Sequence, residues 1–155
     1  MEAKLQSVKE MQVVGIEIRT TNQNEMNPAT AQIPALWGRF QQERIIDQVP
    51  GRAPSGFPLG VYSKYESDHS GPYSVLAGIE VADLKDIPHG LVGLTIPAGN
   101  YLVFTAQGPM PHALIQAWGV IWRYFSADPQ YARAYSADFE SYRGPEQVDI
   151  HIAIK

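Results

Sequence analysis

The chain has 155 residues, 45% of them hydrophobic and 18% charged, with a formal net charge of −4. That composition excludes a disordered chain, offers no basic stripe for a nucleic-acid backbone, and fits one domain with a sizeable core, residues 1–155. With no cysteine there are no disulfides, thiol nucleophiles or thiolate metal sites. The start, Met1 to Gln6, lacks the apolar run of a signal peptide, and no stretch approaches the roughly 18 apolar residues of a membrane span. A cytoplasmic protein without membrane contact is expected.

The segment from Val8 to Arg19 reads as the first strand, because Val14, Ile16 and Ile18 alternate with Gly15, Glu17 and Arg19. The polar run Thr20 to Asn24 reads as a loop, and Asn27-Pro28 as the start of a short helical turn. Pro34 suits the first turn of the main helix, where its missing N–H costs nothing. Ile33, Leu36, Trp37 and Phe40 then share one helical face, with Gln41, Gln42, Glu43, Arg44 and Asp47 on the polar side. Pro50 to Gly56 is a Gly/Pro-rich loop. A hairpin follows. One strand runs from Leu59 to Ser67, with Val61, Ser63 and Tyr65 on one face and Tyr62, Lys64 and Glu66 on the other. The turn is Asp68 to Pro72, and the return strand is Tyr73 to Val81.

The second half runs through the same elements. Leu91–Ile96 and Gly99–Gln107 read as a strand interrupted at Pro97-Ala98-Gly99. Gly108-Pro109-Met110-Pro111 opens a helix with Leu114, Trp118, Ile121, Trp122 and Phe125 along one face, and Asp128-Pro129 closes it. Ala134–Tyr142 and Val148–Ile154 are the last strands. The expected fold is therefore α+β: two pseudo-symmetric β-α-β-β units, about residues 5–82 and 90–155. They form one antiparallel sheet with two main helices on one face. Tyr65-Glu66-Ser67 and Phe139-Glu140-Ser141 fall in the same slot of the two units, and Trp37 and Trp118 in corresponding helices.

Six pieces occur in order: Val14-Gly15-Ile16 with Arg19-Thr20-Thr21-Asn22, Leu36-Trp37-Gly38-Arg39-Phe40, Tyr65-Glu66-Ser67-Asp68, Ile96-Pro97-Ala98-Gly99-Asn100-Tyr101, Trp118-Gly119-Val120-Ile121-Trp122 and Asp138-Phe139-Glu140-Ser141-Tyr142. Together they resemble the GyrI-like superfamily, and within it the effector-binding proteins of integron cassettes, over nearly the full chain. The resemblance implies a ligand held between the two helices and the sheet. It implies an aromatic pocket with a glutamate that meets cationic lipophilic compounds, as in the drug-binding domains of AraC- and MerR-type activators. No helix-turn-helix precedes the domain, so a stand-alone sensor rather than an activator is expected.

The residues support such a pocket independently. Trp37, Trp118 and Trp122 sit on helices; Tyr62, Tyr65, Tyr101, Phe104, Phe139 and Tyr142 sit on strands. Aromatic faces attract cations by about 0.5–2 kcal/mol each, although the same side chains serve equally well as core. A carboxylate within such walls needs a counter-charge. The resemblance points to Glu140 for this role, with Glu66 as its repeat mate and second choice. The expected ligand-binding set is Glu140, Glu66, Trp37, Trp118, Trp122, Tyr62, Tyr65, Tyr101, Phe104 and Tyr142.

Catalytic signals are sparse. His69, His89, His112 and His151 form no ligand pair at helical spacing, so no metal site is expected, and His151, alternating with isoleucines, reads as solvent-facing or hydrogen-bonded at an edge. There is no Gly-x-Ser-x-Gly elbow and no phosphate loop. No cofactor is expected; the haem that this architecture carries in other proteins would need a histidine on a pocket helix. The expected function is binding of a hydrophobic, cationic or aromatic small molecule. Two alternatives stay open through the resemblance: hydrolysis of electrophilic toxins in the same pocket, and a protein-interaction module of the gyrase-inhibitor type. Pairing of outer strands into a homodimer also stays open.

Overall fold

Eight strands and four helices follow one another along the chain in the computed structural model, which describes residues 3–54, 56–127 and 129–155. The first half holds β1 (Ala3–Val8), β2 (Met11–Thr20), α1 (Asn22–Met26), α2 (Ile33–Gln42), α3 (Ile45–Gln48), β3 (Pro58–Ser63) and β4 (Tyr73–Val81). The second holds β5 (Val92–Ile96), β6 (Gly99–Gln107), α4 (His112–Ser126), β7 (Ala137–Gly144) and β8 (Gln147–Ala153). The strands form one antiparallel sheet in the order β1-β6-β8-β7-β3-β4-β2-β5.

That order is symmetric about the β3–β7 pair, and it revises the expected repeat. Each half is β-β-α-β-β, because the strand expected from Val8 to Arg19 is two strands broken at Lys9-Glu10. The first strand of each half crosses over: β1 pairs with β6 of the second half, and β5 pairs with β2 of the first. The halves thus share hydrogen-bond ladders at both edges as well as at the centre.

Both faces of the sheet are buried over its inner strands, whereas the edge strand β1 is exposed. On the helix face, Val14, Ile16, Val75, Ala77 and Ile79 pack under Leu36, Phe40 and Ile45. Beside them, Leu102, Phe104, Val148, Ile150 and Ile152 pack under Ala113, Ala117 and Ile121 of α4. On the far face no helix is needed: Val13, Leu59, Val61, Leu76, Ile96, Tyr101 and Phe139 form a third cluster inside the curl of the sheet. Gly15 lies opposite Gly78, and a Cβ on Gly15 would sit 2.0 Å from the Ala77 carbonyl oxygen. Only glycine lets the two backbones approach this closely. Full burial of each large aliphatic side chain contributes about 1.5–3 kcal/mol, and most of the buried apolar side chains lie on these strands.

Two details of the helix face decide where the site lies. In α4 the residues seated on the sheet are Ala113, Ala117 and Ile121, not the full expected stripe of large residues. Alanines let the helix axis approach the sheet, which turns Leu114, Trp118 and Trp122 sideways; Trp122 is 39% exposed. β3 ends at Ser63 rather than Ser67, because Lys64 takes a left-handed conformation (φ 53°) that no ladder accommodates. Its carbonyl accepts a 2.8 Å hydrogen bond from Arg19 Nη1 instead. No helix among the described residues is long and apolar enough to cross a membrane.

Candidate functional site

A cleft of about 590 Å³ opens on the helix face. Its walls are Leu114, Ile115, Trp118 and Trp122 of α4 on one side, and α1 with Ile33 and Pro34 of α2 on the other; Tyr62, Tyr65, Tyr73 and Glu140 also line it. The strand period explains Glu140: on β7, Phe139 and Ser141 point to the far face, so Glu140 points toward the helices.

Glu140 is 1% exposed. Its Oε2 accepts hydrogen bonds from Tyr62 Oη at 2.9 Å and Trp118 Nε1 at 2.7 Å, and its Oε1 accepts one from Tyr142 Oη at 2.6 Å. Three of the roughly four acceptor positions of a carboxylate are thus filled by neutral donors. Burial pushes the Glu140 pKa above the ordinary glutamate value, and the Tyr142, Trp118 and Tyr62 hydrogen bonds pull in the opposite direction. Burial and the adjacent carboxylate push Tyr62 and Tyr142 well above the usual tyrosine range, so both stay protonated and keep donating. Among the described residues no Lys, Arg or His lies within ion-pair distance of Glu140.

Arg133, a basic side chain buried beside the cleft, already has its counter-charge, although its Nε finds no hydrogen-bond partner among the described residues. Arg133 Nη2 bonds Asp138 Oδ2 at 2.7 Å with both side chains buried. Tyr65 Oη donates to the same oxygen at 2.5 Å, and the Ala153 amide donates to Asp138 Oδ1 at 2.8 Å. The guanidinium stacks over Tyr135 at 4.5 Å. The acidic side chain at the other wall is occupied by the backbone. Glu25 accepts from the Gln32 and Ile33 amides at 3.0 Å each and from Thr20 Oγ1 at 2.6 Å, capping the start of α2. Tyr73 Oη donates to Asn22 Oδ1 at 2.6 Å, and Asn22 Nδ2 donates to the His69 carbonyl at 2.9 Å. These bonds hold α1 above the cleft.

The structure brings Glu140, Trp118, Trp122, Tyr62 and Tyr65 of the expected set to the cleft. Tyr142 supports Glu140 from beneath. Trp37 packs on Tyr142 and Phe40, with ring centroids 4.9 and 5.2 Å away, and does not line the cleft. Tyr101 lies on the far face, its hydroxyl donating to the Pro97 carbonyl at 2.8 Å. Phe104 is sealed under α4 against Tyr124. Glu66 is exposed beyond the end of β3 and away from the cleft. His151, expected in solvent or hydrogen-bonded at an edge, is 4% exposed on the inner strand β8, stacks on Phe139 at 4.1 Å, and its Nδ1 has no hydrogen-bond partner among the described residues. Sequence reasoning missed Tyr73, Asn22, Glu25, Arg133, Leu114 and Ile115 as lining residues. An available signal was the helical spacing of Leu114 and Ile115 to Trp118 and Trp122.

The family model for integron-associated effector-binding proteins matches residues 4–154. The chain belongs to this family. An integron cassette protein from the mobile metagenome of Vibrio cholerae is 32% identical, with a TM-score of 0.86 over 99% of this chain and 95% of its own. A second structure, of a protein bound to tetraphenylphosphonium, is 24% identical with a TM-score of 0.80, covering 100% of this chain and 94% of that one; it shows the same fold. The transcriptional regulator BrlR of Pseudomonas aeruginosa is 28% identical over 130 residues, 79% of this chain and 46% of BrlR. The chain therefore spans about half the length of that curated relative.

Proposed function

We infer that this effector-binding domain takes up a lipophilic aromatic cation in the cleft, with Glu140 as the counter-charge. The observation that carries the reading is a buried carboxylate at the base of an aromatic cleft, held by three neutral donors, with no basic partner among the described residues. Holding an ion in such a place costs several kcal/mol unless a charge partner arrives. Neutral donors offset part of that cost, and a ligand cation offsets the rest. The faces of Trp118, Trp122, Tyr62 and Tyr73 add cation–π attraction of about 0.5–2 kcal/mol each where they are desolvated. The 590 Å³ volume falls in the roughly 300–1,000 Å³ range of small-molecule sites. The tetraphenylphosphonium bound by the related fold is a ligand of this chemical type.

Selectivity tests the reading. Tryptophan fluorescence should be quenched on titration with tetraphenylphosphonium and, far more weakly, with triphenylphosphine oxide, an uncharged molecule of similar girth. Equal quenching by both would remove the charge role and leave an apolar cleft only. Mass spectrometry of the recovered cation should return it intact, as binding without turnover requires.

A further inference from the structure

A second cavity, of about 280 Å³, lies on the far face of the same sheet. Its inner wall is apolar, made by Val8, Met11, Leu59 and Phe139, and its rim carries Lys9, Arg143 and Glu80. Three features set it apart from an ordinary groove. First, its lining includes Phe139 and His151, two buried rings stacked on one another 4.1 Å apart and within 9° of parallel. Second, His151 is 4% exposed and its Nδ1 has no hydrogen-bond partner among the described residues. Burial lowers its pKa, so it adds no positive charge of its own. Third, the Arg143 guanidinium is propped over Phe57 at 4.6 Å, and its carboxylate contact, to Asp149, is long at 3.5 Å. Lys9 makes no ion pair among the described residues.

We propose that this cavity is a second ligand site, for a small carboxylate with a flat apolar body. The apolar body packs against Val8, Met11, Leu59 and the border of the Phe139–His151 pair, and the carboxylate meets Arg143, whose planar fork suits it, with Lys9 supplying the second positive charge. Glu80 on the rim and Asp149 beside Arg143 balance the two cations in number, so the preference for an anion rests on the long Arg143–Asp149 contact and on Lys9, which leave donors free to turn toward a ligand carboxylate. The two sites share β7: Phe139 and Ser141 line the far cavity while Glu140 between them lines the cleft.

Benzoate is the test compound, with benzamide as its uncharged counterpart, followed by amide shifts in two-dimensional NMR of the full chain. Benzoate should shift resonances of β7, β8 and the Lys9 turn, saturably, and leave the Trp118 indole resonance in place. Arg143→Gln should weaken benzoate about tenfold, the size of a lost charged hydrogen bond, and Lys9→Gln should weaken it less. Neither variant should change tetraphenylphosphonium binding, which also shows that each is folded. The proposal is overturned if benzoate moves only scattered surface amides, if it moves the Trp118 indole instead, if benzamide binds equally well, or if Arg143→Gln leaves the affinity unchanged. Failure here leaves the cation reading intact, since that rests on the opposite face.

Discussion

Gly60 lies directly across the central strand pair from Glu140, and a Cβ at this position would fall 3.0 Å from Glu140 Oε1 and 3.1 Å from Trp37 Cζ2. The carboxylate therefore rests over a bare stretch of β3, braced by Tyr142 and, behind it, by Trp37. A side chain at residue 60 would press on both. Gly60→Ala is expected to keep the fold, because a small gain of about 0.4–1 kcal/mol from reduced unfolded-state freedom offsets the local strain. It should weaken tetraphenylphosphonium binding several-fold by displacing the carboxylate. Gly60→Val should cost about 1–3 kcal/mol by overpacking. Denaturant unfolding and calorimetric titration of both variants check this; unchanged affinity in Gly60→Val would show that the carboxylate position does not matter.

Burial holds the Glu140 carboxyl above its ordinary value of 4.5. A carboxyl whose folded-state pKa exceeds its unfolded-state value stabilises the fold in its protonated form, and that contribution is lost as pH rises through the folded-state pKa. The wild type should therefore lose stability relative to Glu140→Gln as pH climbs from about 4.5, and the two Tm curves should separate over that window. Cation affinity should rise over the same window, because the ionised form is the one that pairs. Parallel Tm profiles for the two proteins would contradict the assigned shift.

Trp118 plays two parts, as a wall and as a donor at 2.7 Å to Glu140. Trp118→Phe keeps most of the wall and removes the donor. The Glu140 pKa should move further up, since a hydrogen bond to the charged form is gone. The pH midpoint of cation binding should shift upward with it. A midpoint that stays in place would mean that the indole N–H contributes nothing to holding the charge.

The Arg133–Asp138 pair is a structural counterweight beside the cleft. Both side chains are buried, at 8% and 0% exposure, and Asp138 also takes the Ala153 amide and the Tyr65 hydroxyl. Removing one partner strands the other, so Asp138→Ala is expected to cost about 3–5 kcal/mol. Chemical denaturation measures it directly. A loss below about 1 kcal/mol would place the pair in the class of surface ion pairs.

Much of the fold was legible because period-2 patterns survive burial. Tyr73–Val81 and Gly99–Gln107 have the bounds that their alternation indicates. β1 was not legible: Ala3–Val8 is an exposed edge strand with no buried face, and its partner β6 is about a hundred residues away. The cleft was half legible. Glu140 and Trp118 stood out by type and spacing, whereas Trp37 went to the core because packing, not residue type, decides which face of a tryptophan meets solvent. Tyr101 and Phe104 differ by an odd number of residues on one strand, so they must face opposite sides of the sheet. Glu66 was lost to the left-handed Lys64, a backbone event that periodicity does not register. Asn22, Glu25 and Arg133 reach the cleft through long-range topology.

The charge of Glu140 carries the account, and calorimetric titration of tetraphenylphosphonium into the wild type and Glu140→Gln at neutral pH tests it most directly. Gln keeps the shape and most acceptor positions and removes the charge. The account predicts at least a tenfold loss of affinity, about 1.4 kcal/mol, with the folded structure retained. Equal affinity for the two proteins would contradict it.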